Sequence, residues 1–333
     1  MRLIDWVKRT PRRLCVPLAG YPGCQLTAST VKQNEFNAEL QARSLYKLVE
    51  QTGMDAVFTM MDLSVEAGSL GLPVRFPLED SATVEWHPVK HAGDLNQYKV
   101  IDPLYDGRVW VYIETIRLLK KRLTVPVGAY VIGPFTLAGL MMGANDIAMA
   151  TIESPDVVQA TVNFAERVVI SYARALEEAG ADMIAILDPT CVILSPQAYR
   201  EFCAPAVENL IRHLAAPTIM HICGNTHHLI GPMCETGCQG LSLDSMVDFP
   251  AVAKIIPPDV ALIGNINPTT TMLRGTPQEV HRETLDLLQA MEGYDNFIMS
   301  TGCDLPANAP VQNIRAMMQT VQEYPYTPGK KKG

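Results

Sequence analysis

The chain has 333 residues, 48% hydrophobic and 19% charged, with a formal net charge of −8. That length suffices for one large domain or two small ones, and 24 prolines with 22 glycines, spread along the chain, argue for many short loops and against a disordered tract. The acidic balance argues against nucleic acid as a partner, because phosphate binding needs a concentrated basic face. No apolar run approaches the ~20 residues of a bilayer span, and residues 1–13 are charged throughout, unlike a secretory signal. The expectation is a cytoplasmic protein with no membrane partner, whose eight cysteines stay reduced.

In chain order, short apolar runs at 14–18, 55–60, 127–132, 183–187, 217–221, 240–243, 261–264 and 297–300 read as strands. Helical patterns alternate with them at 34–52, 135–142, 155–179, 196–214, 226–235, 249–255, 277–291 and 309–323. Proline after Ser154, Ser195 and Thr276 marks three helix starts, and Gly180 and Gly237 mark two ends. The strands are apolar without alternation, the pattern of a parallel sheet covered on both faces. Eight such repeats predict an α/β fold, a closed (β/α)8 TIM barrel, as one domain over 1–333. Neither G-x-G-x-x-G after the first strand nor a P-loop is present, so no nucleotide fingerprint supports an open sheet. The segment 68–104 breaks the rhythm with Pro73, Pro77, Pro88 and Pro103, and is expected as a lid or small hairpin inserted after the second strand. A loop at 144–154 is expected on the same rim, and a disordered tail from about 326 to 333.

Barrel enzymes carry their chemistry at the C-terminal ends of the strands. The fifth predicted strand ends His221-Ile222-Cys223-Gly224, and a period of two puts His221 and Cys223 on one side of the chain. The eighth ends Thr301-Gly302-Cys303, across the mouth in a closed barrel. One histidine and two cysteines form a recognised zinc set with a fourth position open, so His221, Cys223 and Cys303 are the candidate metal ligands. Buried thiols beside a hydrogen-bonded histidine remain the alternative. Cys234 and Cys238 are expected to be structural, Cys191 and Cys203 to be ordinary small apolar residues, and His227 and His228 to cap or lie at the surface. Strand ends also supply Asp62, Asp188 and Asp244. Asp62 and Asp244 are assigned catalytic roles, Asp188 and Asn225 substrate binding. Asp244 is a candidate oxygen ligand or hydrogen-bond acceptor for His221, with loop capping as the alternative.

Gly133-Pro134-Phe135-Thr136-Leu137-Ala138, Gly264-Asn265-Ile266-Asn267-Pro268 and the Gly302-Cys303 segment before Pro310 resemble the uroporphyrinogen decarboxylase superfamily, over about 55–324. Within it, His221-x-Cys223-Gly224 and Thr301-Gly302-Cys303 are similar to the corrinoid-dependent methyltransferase branch, whose methylcobamide:coenzyme M methyltransferases are zinc enzymes on a (β/α)8 barrel. The resemblance to true decarboxylases is incomplete. Where they carry an arginine-rich segment this chain has Pro17-Leu18-Ala19-Gly20-Tyr21-Pro22-Gly23, and Cys303 replaces their histidine. Asp62 matches their catalytic aspartate, which keeps a tetrapyrrole decarboxylase open as the alternative. A non-catalytic zinc or corrinoid-binding accessory protein is a third.

The resemblance implies a zinc-dependent methyltransferase moving a methyl group from a methylated corrinoid protein to a thiol, coenzyme M-like, or to a related acceptor such as a tetrahydrofolate. With two thiolates and a neutral imidazole the zinc centre carries no net charge, so a bound substrate thiolate keeps much of its nucleophilicity. No D-x-H-x-x-G corrinoid motif occurs, so the methylcorrinoid is expected from a partner protein docking on the rim at 68–104 and 144–154.

Overall fold

The computed structural model describes residues 2–102 and 107–326, and a curled parallel sheet is its framework. In chain order the strands are β1 (Val57–Phe58), β2 (Val74–Arg75), β3 (Thr83–Val84), β4 (Val127–Ile132), β5 (Met183–Leu187), β6 (Thr218–Ile222), β7 (Gly240–Leu243), β8 (Ala261–Ile266) and β9 (Phe297–Thr301). Seven pair in the order β1-β4-β5-β6-β7-β8-β9, and every pairing is parallel. β2 and β3 form a separate antiparallel hairpin inside 68–104.

The period of two sorts the side chains onto two surfaces. Val16, Leu18, Phe58, Tyr130, Met183, Ala185, Leu187, Ile219, Ala261, Ile263 and Ile298 meet inside the curl as one apolar cluster. The alternate residues Ile184, Ile186, Met220, Leu262 and Met299 join the larger core under the helices. Burial on both faces explains the non-alternating composition of these strands. The helix Pro155–Glu178 shows how the outer layer forms: Val158, Val162, Ala165, Val169, Tyr172 and Leu176 recur at helical spacing and are all buried. Of the three predicted starts, Ser195 and Thr276 cap their helices with side-chain hydrogen bonds, whereas Ser154 makes none. A first helix, Leu3–Arg9, packs Leu3, Ile4 and Val7 against the interior cluster at the N-terminal ends of the strands.

The structure departs from expectation at several places. The run at 14–18 is no regular strand: a single parallel bridge joins Cys15 to Met299. Val16 N donates to Met299 O and Met299 N to Leu14 O, both at 2.9 Å, while Leu18 N turns to Thr301 Oγ1. Pro17 lacks the N–H that a longer ladder needs. On its other side, Asp55 N donates to Cys15 O. The stretch 144–154 is mostly the helix Ala144–Glu153 and not a loop; Gly143, at φ 98°, turns the chain between it and the helix Pro134–Met142. The predicted helix 196–214 divides into Pro196–Phe202 and Ala204–Arg212, with Pro205 in the first turn of the second. The expected tail lies, past Tyr326, outside the described residues. Among the described residues no single helix is long and apolar enough to cross a membrane.

Candidate metal centre

His221 is the inward-facing residue of β6 next along from Ile219, and the register sets it opposite Ser242 on β7. Both are nearly inaccessible, 2% and 3% exposed. His221 Nδ1 lies 2.9 Å from Ser242 Oγ, which leaves Nε2 directed at the sulfurs. Cys223 follows on the same side of the chain, its Sγ 3.0 Å from Nε2. Gly224 next to it takes φ 87°, a left-handed turn that a Cβ would strain. The third donor arrives from β9: Cys303 Sγ is 3.2 Å from Cys223 Sγ and 3.7 Å from His221 Nε2. Gly302 makes that approach possible, because a Cβ there would overlap the Asp244–Ser245 backbone.

These three donor atoms lie within 4.8 Å of one another, and no other such group of histidine, cysteine and carboxylate side chains occurs among the described residues. Tetrahedral zinc with the usual Zn–S and Zn–N lengths sets donor separations of about 3.5–3.8 Å, so a few tenths of an ångström of opening fits the triangle to the ion. The electrostatics agree. The hydrogen bond from the Cys223 thiol, with His221 beside it, holds Cys303 well below the ordinary thiol range, while the same contact and burial push Cys223 up. The pair therefore surrenders its first proton readily, as ligation requires.

The other expected residues are distributed differently. Asp244 is committed to its loop: Oδ2 accepts from Gly224 N at 3.0 Å, and Oδ1 from Met246 N and Ser245 Oγ. The acceptor facing His221 is Ser242. Asp62 is buried, with Oδ1 accepting from Ser64 N and Oγ, and Oδ2 accepting from Tyr112 Oη and ion-paired with Arg108. Arg108 in turn lies over the Phe36 and Phe76 rings. Asp188 has no exposed surface; Oδ1 accepts from Thr136 N and Oγ1, and burial raises its pKa to about 6. Asn225 is exposed just past Gly224. His227 and His228 are exposed, and His228 Nε2 contacts Leu194 O. Cys234 and Cys238 stay apart from the donor cluster, and Cys191 and Cys203 form a buried pair with sulfurs 3.1 Å apart.

Beside Cys303 opens a cleft of about 1050 Å³, running to the β2–β3 hairpin. Tyr21, Gln25, Glu79, Asp80 and Asp304 are among its walls. Asp304 Oδ1 is buried without a hydrogen-bond partner, and burial beside Cys303 raises that carboxyl well above its usual range. Sequence reasoning missed Ser242, Tyr21, Glu79, Asp80, Asp304 and Arg108. Only Ser242 had a readable signal, its place in the strand beside that of His221.

The model of the uroporphyrinogen decarboxylase (URO-D) family matches residues 15–324. The chain belongs to that family. This URO-D member is 28% identical over 322 residues to the methylcobamide:CoM methyltransferase MtbA of Methanosarcina acetivorans, covering 91% of this chain and 93% of that one. To the uroporphyrinogen decarboxylase of Xylella fastidiosa it is 26% identical over 342 residues, covering 96% and 95%. Its fold superposes on a methyltransferase structure from Methanosarcina mazei with a TM-score of 0.88, at 24% identity and 97% coverage of both chains. The methyltransferase branch read from His221-x-Cys223-Gly224 and Thr301-Gly302-Cys303 is thus represented among the relatives of this URO-D chain.

Proposed function

We propose that this chain is a zinc-dependent methyltransferase that accepts a methyl group from a methylated corrinoid protein and passes it to a thiol. The observation that carries the reading is the donor cluster of His221, Cys223 and Cys303 at the wall of an open cleft. We read the curled sheet, with the 14–18 segment along β9, as a (β/α)8 barrel of one domain whose mouth holds this cluster. Zinc on these ligands supplies a Lewis-acid position at which a thiol binds as its thiolate.

The remaining roles fall to side chains. Ser242 fixes the His221 ring so that Nε2 is the ligating atom. Gly302 and Gly224 bring the two loops close enough for the sulfurs to meet. In the transfer, the acceptor sulfur provides the electron pair of the new C–S bond, and the pair of the broken C–Co bond leaves with cobalt on the partner protein. Asp62 and Asp244 support the architecture, Asp62 by its pair with Arg108 and Asp244 by capping the turn after Cys223. The relatives named for methylcobamide:CoM methyl transfer support this assignment.

The decarboxylase alternative fares worse. Its central group, Asp62, is tied up on both oxygens, and among the described residues no lysine, arginine or histidine lines the cleft to receive the carboxylates of a tetrapyrrole. Metal analysis of the purified chain with a methylcobalamin-plus-thiol assay tests the proposal. One zinc per chain and thiol methylation, both abolished by Cys223→Ala, are expected. A zinc-free chain that decarboxylates a tetrapyrrole would overturn it.

A further inference from the structure

The cleft beside Cys303 is large enough for a small molecule and is lined by carboxylates. Glu79 and Asp80, at the tip of the β2–β3 hairpin, form no ion pair among the described residues, and Asp80 accepts only from Ser81 N. The Cys24 thiol lines the same cleft. The buried, partnerless Asp304 Oδ1 sits beside the ligand Cys303 and asks for a hydrogen bond from whatever fills the space. Among the described residues no cation lines the cleft: Arg108 is paired with Asp62 and Arg75 with Glu85, while Lys32, whose backbone N–H donates to Leu78 O beside the hairpin tip, is exposed outside its walls. An anionic group placed here would meet like charge and no compensating donor fork.

Resting on the methyltransferase reading, we propose that the acceptor taken in this cleft is a thiol whose far end is neutral or cationic, and that a sulfonate- or carboxylate-bearing thiol is disfavoured. The hairpin carboxylates Glu79 and Asp80 set this preference, and Asp304 takes the hydrogen bond of the acceptor's polar end. The chain would thereby differ in acceptor from the relatives named for coenzyme M, although it shares their ligand pattern.

Three probes of similar size separate the cases: 2-aminoethanethiol, 2-mercaptoethanol and 2-mercaptoethanesulfonate. Their dissociation constants are read on the cobalt-substituted full-length protein from the thiolate-to-metal absorption, and kcat/KM on the zinc enzyme with methylcobalamin. At low ionic strength the cationic thiol should exceed the sulfonate by about tenfold in affinity, with the neutral thiol between, and added salt should shrink the ratio. Glu79→Gln with Asp80→Asn should bring the ratio of cationic to sulfonate thiol to within about twofold. Both residues are exposed, so the variants should fold as the parent does. A sulfonate bound as well as or better than the others overturns the inference, as does a preference that survives the double substitution. Ordered binding without methyl transfer would refute the methyltransferase reading and leave the charge preference standing; binding of none of the three refutes both.

Discussion

Removing the Ser242 hydroxyl tests whether the His221 ring is held for a metal. Ser242 Oγ and His221 Nδ1 are 2.9 Å apart, and both residues are almost fully buried, so no water replaces the lost partner. With Nε2 on the metal, Nδ1 carries the proton and donates to Oγ. In Ser242→Ala that N–H is stranded in an apolar interior, and the ring loses its fixed orientation. Loss of such an orienting partner lowers metal affinity by about 10–100-fold, or about 1.4–2.8 kcal/mol. Competition against a chromophoric chelator at pH 7 measures this directly. Ser44→Ala serves as the control, since it also deletes a buried hydroxyl, one that donates to Asn34 at 2.8 Å. The control should lose stability without losing zinc affinity. An affinity within twofold of the parent for Ser242→Ala would show that Ser242 does not orient the ligand.

Three further outcomes follow from the same geometry. Asp62→Ala leaves Arg108, 11% exposed at its side chain, without its partner and should destabilise the fold by about 3–5 kcal/mol in urea titration; unchanged stability with lost turnover would return Asp62 to the reaction. Cys223→Ala should lose most of the metal and Cys234→Ala should retain it, as read by metal analysis after dialysis, and equal retention would discard the ligand set. Glu66 is wholly buried, with Oε1 accepting from Ile132 N, and burial pushes its pKa up to about 7. Between about pH 4.5 and 7 the folded chain keeps a proton that the unfolded chain releases, so stability falls as pH rises through that window. Glu66→Gln should therefore raise the unfolding free energy in urea at pH 8 more than at pH 5, by about 3 kcal/mol at most, and an equal gain at both would show that Glu66 does not titrate there.

Much of the site was legible because strand periodicity is local. His221 and Cys223 are two apart, so one strand assignment fixes their common side, and Cys303 follows a strand end in the same way. What escaped depended on register or on distant chain. Ser242 became the partner of His221 because β6 and β7 align those two residues. Asp244, two residues further on, bends into its own loop instead. The Asp62–Arg108 pair spans an insertion whose length gives no clue to where it returns. At the fold level, the apolar runs found the sheet. Pro17 hid the irregularity of the first run, and the alanine-rich 144–153 stretch is helical although its flanking Gly143 and Pro155 resemble loop punctuation.

The small helix Leu3–Arg9 has a consequence for traffic. It stoppers the end of the curled sheet opposite Cys303, and Leu3 is tied there through its N–H to Gln239 Oε1. On the barrel reading proposed above, reactants and products share the doorway at the other end. A bulky carrier seated over that doorway would trap a small molecule already inside and bar one still outside. On the methyltransferase reading proposed above, that shape favours one order of arrival, small molecule first and carrier second, without any moving part.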